Sequence, residues 1–219
     1  MSFSISDYTD LRTIISDINY KIRDATSIDS FQEKLTEWKF SRPFLDLSDL
    51  VKCVVTDCVL YYPSSTGTAS LIQSYLNANK EFLSTLDVEI LNLHCHPQFT
   101  LMQVKARRPD GSLLAWDILR DQEFVFADNA LWKQFDAIPS NAVFALDLFE
   151  RLGYRFGGVS CIHMNQSTVK KQYYLKIREF KRLTSHGDSQ AALVLSELMN
   201  QIRKDITREE ARLLSPKPY

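Results

Sequence analysis

Glycine is scarce in this chain of 219 residues. Gly67, Gly111, Gly153, Gly157, Gly158 and Gly187 all read as turn positions, so helix and strand interiors are free of the residue that weakens them. Cysteine is scarce as well, and Cys53, Cys58, Cys95 and Cys161 contain no C-x-x-C pair. With Asp7, Asp10 and Arg12 opposing an ordinary signal peptide, reduced thiols in a cytoplasmic compartment are expected rather than a disulfide framework. Long apolar runs are missing. Cys58 to Asn79 lacks charge, but Pro63 and its Ser, Thr and Asn residues make it a poor membrane span, so no membrane association is expected. No phosphate loop, internal repeat or low-complexity segment stands out, and no residue pattern requires a cofactor.

What is present is an apolar fraction of 45%, enough for one large core or two small ones. The net charge is −1, unevenly placed: residues 1–140 hold 13 Lys/Arg against 19 Asp/Glu, and residues 141–219 hold 13 against 8. A basic part beside an acidic one suits an anionic partner such as DNA, although small domains also drift in charge without one.

Ile5, Tyr8, Leu11, Ile15, Ile18 and Ile22 recur at three- and four-residue spacing, which predicts an amphipathic helix. Ser30 to Phe40 follows as a second helix, with Ser30 and Glu33 in capping-box register. A short helical pattern from Leu45 to Val51 leads into Val54–Tyr62, an apolar run predicted to be a strand. Pro63 ends it, a small-residue loop from Ser64 follows, and a helix capped by Thr68 or Ser70 carries Leu71, Ile72, Tyr75 and Leu76. Strands are then predicted over Val88–His96, Phe99–Arg107, Leu113–Arg120 and Glu123–Ala127, with Pro109-Asp110-Gly111 as a hairpin turn.

Beyond Pro139 the pattern reads as helical. Ser140-Asn141 would cap a helix holding Ala142, Phe144, Leu146 and Leu148 and ending at Gly153; others run from Asn165 to about Leu183 and from Asp188 to Ile206. Ser215–Tyr219 reads as a frayed tail.

The order acidic residue, strand, Pro, small residues, Thr-Gly, helix, held here by Asp57, Pro63, Ser64, Ser65, Thr66 and Gly67, resembles the nuclear-transport-factor-2-like superfamily of polyketide-cyclase-like and ketosteroid-isomerase-like proteins. The resemblance implies an α+β fold: a cone-shaped antiparallel sheet with packed helices over residues 27–139. The helical segment 1–26 would precede it and an all-α C-terminal subdomain, 140–219, would follow. It also implies an apolar pocket for a small hydrophobic ligand, with Asp57, Tyr61, His94, His96, Gln103, Trp116 and Asp117 as its polar lining.

Asp57, set among Val, Leu and Tyr, is the best candidate for a proton carrier tuned by apolar walls. No second group stands at a fixed spacing to it, so a structural carboxylate is favoured and no catalytic residue is assigned. His94 and His96 would share one face of a strand, as a zinc-ligand pair does, but no third ligand lies near and no metal site is assigned. Leu91, Leu93 and Cys95 would take the apolar face and turn both histidines away from the helices.

Ser167-Thr168-Val169-Lys170, set before Tyr173, Tyr174, Lys176 and Arg178, resembles the recognition helix of helix-turn-helix regulators of the LuxR and sigma-factor type. With Val169 at the buried site of that helix, Val159 falls at the small inward site of the preceding one, and Ile162 and Met164 flank the turn. His163 stands where the family usually has Gly, and Gly158 where it has an apolar residue. The resemblance implies that Gln166, Ser167, Lys170, Lys171, Tyr174, Lys176 and Arg178 meet DNA. Two functions follow: a dimeric DNA-binding transcriptional regulator whose first domain senses a small molecule or dimerises, and alternatively a cyclase- or isomerase-like enzyme or carrier with a hydrophobic ligand.

Overall fold

The computed structural model describes residues 5–24, 26–39, 42–63 and 69–213. The loop expected from Ser64 to Thr66, Gly67, the candidate cap Thr68 and the tail from Ser215 lie outside them. The described chain is α+β and falls into two compact units, Met1–Leu11 with Gln98–Asn200 and Arg12–Pro97 with Gln201–Tyr219.

The second unit is helical. Its elements are most of α1 (Ile5–Asp24), then α2 (Ile28–Glu37), a 3-10 turn at Phe44–Asp46, α3 (Asp49–Tyr61), α4 (Leu71–Asn79) and α5 (Thr85–His94). Serines start most of them: Ser27, Ser48 and Ser70 accept the backbone N–H of Asp29, Val51 and Gln73, and Ser84 forms a capping box with Asp87. Ser27, rather than Ser30, therefore caps α2.

Two predicted strands are helices. Val54–Tyr62 lies mostly in α3, where Val51, Val54, Val55, Thr56, Asp57, Cys58, Leu60 and Tyr61 are all buried. A helix buried on nearly every side has no polar face to print a period of 3.6, so its β-branched residues mimic a strand. Val88–His96 overlaps α5, which buries Ile90, Leu91 and His94 at helical spacing.

The first unit holds the sheet: β1 (Gln98–Arg107), β2 (Leu113–Asp117), β3 (Gln122–Phe126), β4 (Ala142–Arg151) and β5 (Tyr154–Asn165), with α6 (Asn129–Lys133) and a 3-10 turn (Phe135–Ala137) between β3 and β4. The strands close in the order β1-β2-β3-β5-β4. Only the β3–β5 contact is parallel, at Phe126 opposite Arg155. The sheet is thus a closed five-stranded barrel of Greek-key type, where a cone-shaped antiparallel sheet was expected. The first half of β1, Gln98–Met102, pairs with β4 and the part from Met102 onward with β2, where a bulge lies between Val104 and Ala106. Met102, Leu113, Ala115, Phe124, Phe126, Ala142, Phe144, Leu146 and Leu148 fill the interior.

The division expected at Pro139 cuts through this barrel. Ala142, Phe144, Leu146 and Leu148 recur every second residue, the period of a strand, and they point inward from β4. The alternation is masked because Val143, Ala145, Asp147 and Phe149 are buried on the opposite face. Gly157, expected in a turn, lies inside β5, where a Cβ would come within 3.1 Å of Leu146 Cδ1. Its missing side chain admits the Leu146 and Phe126 side chains.

The expected long helix is two: α7 (Gln166–Gln172) and α8 (Tyr174–Ser185), meeting at Tyr173. Then α9 (Ala191–Leu213) runs from the barrel unit into the helical one. Because Tyr154–Asn165 is strand β5, the first helix of the expected helix-turn-helix is not formed. Val159, Ile162 and Met164 are strand residues instead.

Asp117 closes the β2–β3 turn. Its fully buried carboxylate accepts the N–H of Leu119 at 2.8 Å and of Arg120 at 3.2 Å, and the Arg120 guanidinium at 2.8 Å, which also donates to the Phe99 carbonyl. Asp117→Ala leaves those donors and a largely buried cation without their acceptor, an expected loss of about 3 kcal/mol in urea unfolding. A loss below about 1 kcal/mol would rule out this role for the carboxylate.

Candidate functional site

The seven residues expected to line one pocket are divided between the two units. Asp57, Tyr61 and His94 lie in the helical one, His96 is exposed just beyond α5, and Gln103, Trp116 and Asp117 belong to the barrel. Asp57 and Tyr61 stand one turn apart on α3, and the Tyr61 ring meets the His94 ring at 5.7 Å between centroids. Asn19 donates to the Tyr61 hydroxyl at 3.0 Å. Asp57, Tyr61 and His94 are 0 to 2% exposed and Asn19 is 8% exposed, so they build a packed polar core within the helical unit. His94 and His96 do not share a face, since α5 ends at His94, which is buried while His96 is exposed.

On the barrel, Leu113, Ala115, Phe124 and Phe126 point inward, so Leu114, Trp116, Glu123 and Val125 face out. Register places Gln103 of β1 opposite Trp116, and Trp116 opposite Glu123 of β3. Lys105 Nζ donates to Gln103 Oε1 at 3.1 Å. A part-exposed indole is thereby framed by an amide, an ammonium and a carboxylate on one sheet face. Sequence reasoning found Gln103 and Trp116 but missed Lys105, Leu114, Glu123 and Val125. The alternation along Leu113–Asp117 carried the signal, and only the register could add the neighbours.

The third feature lies on α7 and α8. Val169, Tyr173, Ile177, Phe180 and Leu183 are buried, while Ser167, Lys170, Lys171, Tyr174, Leu175, Arg178 and Arg182 are exposed; Gln166 is half-buried. Tyr174, Arg178 and Arg182 succeed one another at four-residue spacing on one helix face. Glu179 is the acid exposed beside them. Lys176 bonds Glu197 at 2.6 Å, and Lys181 grips both carboxylate oxygens of Asp121 at 2.7 Å. Asp121 sits in the turn joining β2 to β3, so α8 is tied to the hairpin that carries Trp116. Of the residues expected to meet DNA, all but the paired Lys176 and half-buried Gln166 are exposed here, Ser167 with its hydroxyl donated to Asn165; Leu175, 76% exposed, was not foreseen.

Among the described residues, no three His, Cys, Asp or Glu side chains gather as a metal ion would require, and no helix is long and apolar enough to cross a membrane. Comparison with protein-family models, curated proteins and solved structures finds no match for this chain.

Burial links His94 to pH. Burial pushes its pKa down from 6.5 to about 4, the charge of Arg12 acts the same way, and a 2.8 Å hydrogen bond from Nδ1–H to the Ile90 carbonyl opposes them. The folded state thus holds its proton less tightly than the unfolded state. Stability from this group is whole above the unfolded value near 6.5 and is lost as pH falls toward 4. The expected loss over that window is roughly 3 kcal/mol in urea unfolding, and His94→Gln should flatten it. An equal acid slope in the variant would assign the loss to other groups.

Proposed function

We propose that this protein binds nucleic acid through its barrel unit, with a single strand lying on the β1–β2–β3 face and its phosphates meeting the exposed cations of α7 and α8. The observation that carries this reading is the basic, aromatic-bearing surface of Lys170, Lys171, Tyr174, Arg178 and Arg182, fixed through Lys181 and Asp121 to the hairpin of Trp116. Proteins that hold single strands combine a cationic groove with aromatic platforms on which bases stack. Barrels of this connectivity use the β2–β3 face for oligonucleotides and oligosaccharides, a fold-level analogy that supports the reading without carrying it. Groove reading by paired helices is set aside, since β5 occupies the place of the first helix.

Phosphate contacts and stacking leave different marks. In anisotropy titrations with a labelled single strand of about 16 nucleotides, Lys170→Ala with Lys171→Ala should weaken binding and reduce the slope of log K against log salt by about 1.4. Trp116→Ala should weaken it about 5- to 150-fold, the equivalent of one lost stack of about 1–3 kcal/mol, with the slope unchanged. Absence of binding by the native protein at low salt overturns the proposal. Tighter binding to duplex than to single strand would overturn the single-strand assignment.

A further inference from the structure

The β4–β5 hairpin ends in a two-residue turn, Leu152-Gly153, flanked by the pair Arg151 and Tyr154. Both central residues have positive φ, 52° and 83°, the sign pattern of a type I′ turn. Glycine takes that conformation freely and Asn or Asp take it readily, whereas the Cβ of leucine crowds the backbone there. The strain is not offset by burial, because Leu152 is 66% exposed. An apolar side chain is therefore presented to solvent at a position whose backbone favours a polar residue.

The tip is braced. The Tyr154 hydroxyl donates to Asp110 Oδ2 at 3.2 Å, joining the β4–β5 tip to the β1–β2 turn, and Arg108 pairs with the same carboxylate at 3.5 Å. At the root, Arg155 bonds Glu150 and lies 5.0 Å from the Phe124 ring centroid. Arg151 thus adjoins the exposed leucine in the turn, and Arg108 and Arg155 stand in the braces of the hairpin, paired with Asp110 and Glu150. An apolar tip among guanidinium groups is complementary to a partner with flat apolar faces on an anionic backbone.

We propose that Leu152 is a wedge that enters between adjacent bases of the bound strand and unstacks them, with Arg108 and Arg151 at the flanking phosphates. Apolar side chains act in this way at base steps in other nucleic-acid complexes. The inference rests on the nucleic-acid reading of the barrel unit. Its test uses a single strand of adenines containing one 2-aminopurine, whose fluorescence rises on unstacking, together with anisotropy and thermal melting.

The native protein should raise the fluorescence on binding. Leu152→Asn, which suits the turn, should abolish that rise and weaken binding about tenfold with an unchanged salt slope, while Tm rises by about 2–4 °C. Leu152→Met, which keeps an apolar tip, should retain the rise. Binding by native protein with no fluorescence rise, or a rise kept in full by Leu152→Asn, overturns the wedge and leaves the nucleic-acid reading standing. No binding by the native protein overturns both.

Discussion

Closure of the barrel depends on one strand serving two partners. β1 is paired with β4 through Gln98–Met102 and with β2 from Met102 onward, so the handover at Met102 precedes the bulge between Val104 and Ala106. Without pairing on both sides the sheet would be open, with two edges that are each a row of unpaired N–H and C=O groups. The circle closes where β3 reaches β5, and inward residues of β1, β2, β3 and β4 share one interior. The outward residues follow by alternation. Trp116 faces out because Ala115 faces in, and it meets Gln103 because the register downstream of Met102 is set before the bulge intervenes.

Which parts were legible in the sequence follows from how many faces each element buries. β2 and β3 expose one face, and Leu113, Ala115, Phe124 and Phe126 alternate plainly with part-exposed neighbours. α8 exposes one face, and its apolar positions repeat at helical spacing. β4 and α3 are covered on nearly every side, so their sequences are apolar runs in which a period of 2 and one of 3.6 cannot be told apart. The barrel was therefore misdivided at Pro139 and its last two strands read as helices. The basic surface on α7 and α8 was legible because exposure is what preserves pattern. The tip of the β4–β5 hairpin was not, since Leu152 beside Gly153 resembles a helix stop unless the hairpin is known.

The polar residues of the helical unit make the converse point. Asp57, Tyr61 and His94 look like a site when read as letters in an apolar context, and the fold does assemble them. It assembles them as core, with Arg203, 2% exposed, laid over the Tyr62 ring at 4.7 Å in the same unit. Buried polar groups are retained where each has compensating hydrogen bonds or charge, and such networks specify one packing. With its pKa pushed down to about 4 by burial, His94 is held neutral near neutrality, its Nδ1–H donated to the Ile90 carbonyl inside that core.

Charge counted along the chain overstates what the surface presents. Residues 141–219 carry five more Lys/Arg than Asp/Glu, yet Lys176 and Lys181 are engaged by Glu197 and Asp121, Arg155 by Glu150, and Arg203 is buried. Asp121 belongs to the part of the chain counted as acidic, so the two halves are neutralising each other within one unit. Exposed pairs of this kind contribute little stability, at most about 1 kcal/mol each. Their consequence is positional: they fix α8 on the β2–β3 turn and leave Lys170, Lys171, Arg178 and Arg182 as the exposed cations of that surface. Any anionic chain drawn to those four meets them at a set place relative to the hairpin of Trp116, and that shared frame lets a charge surface and a stacking surface act on one ligand.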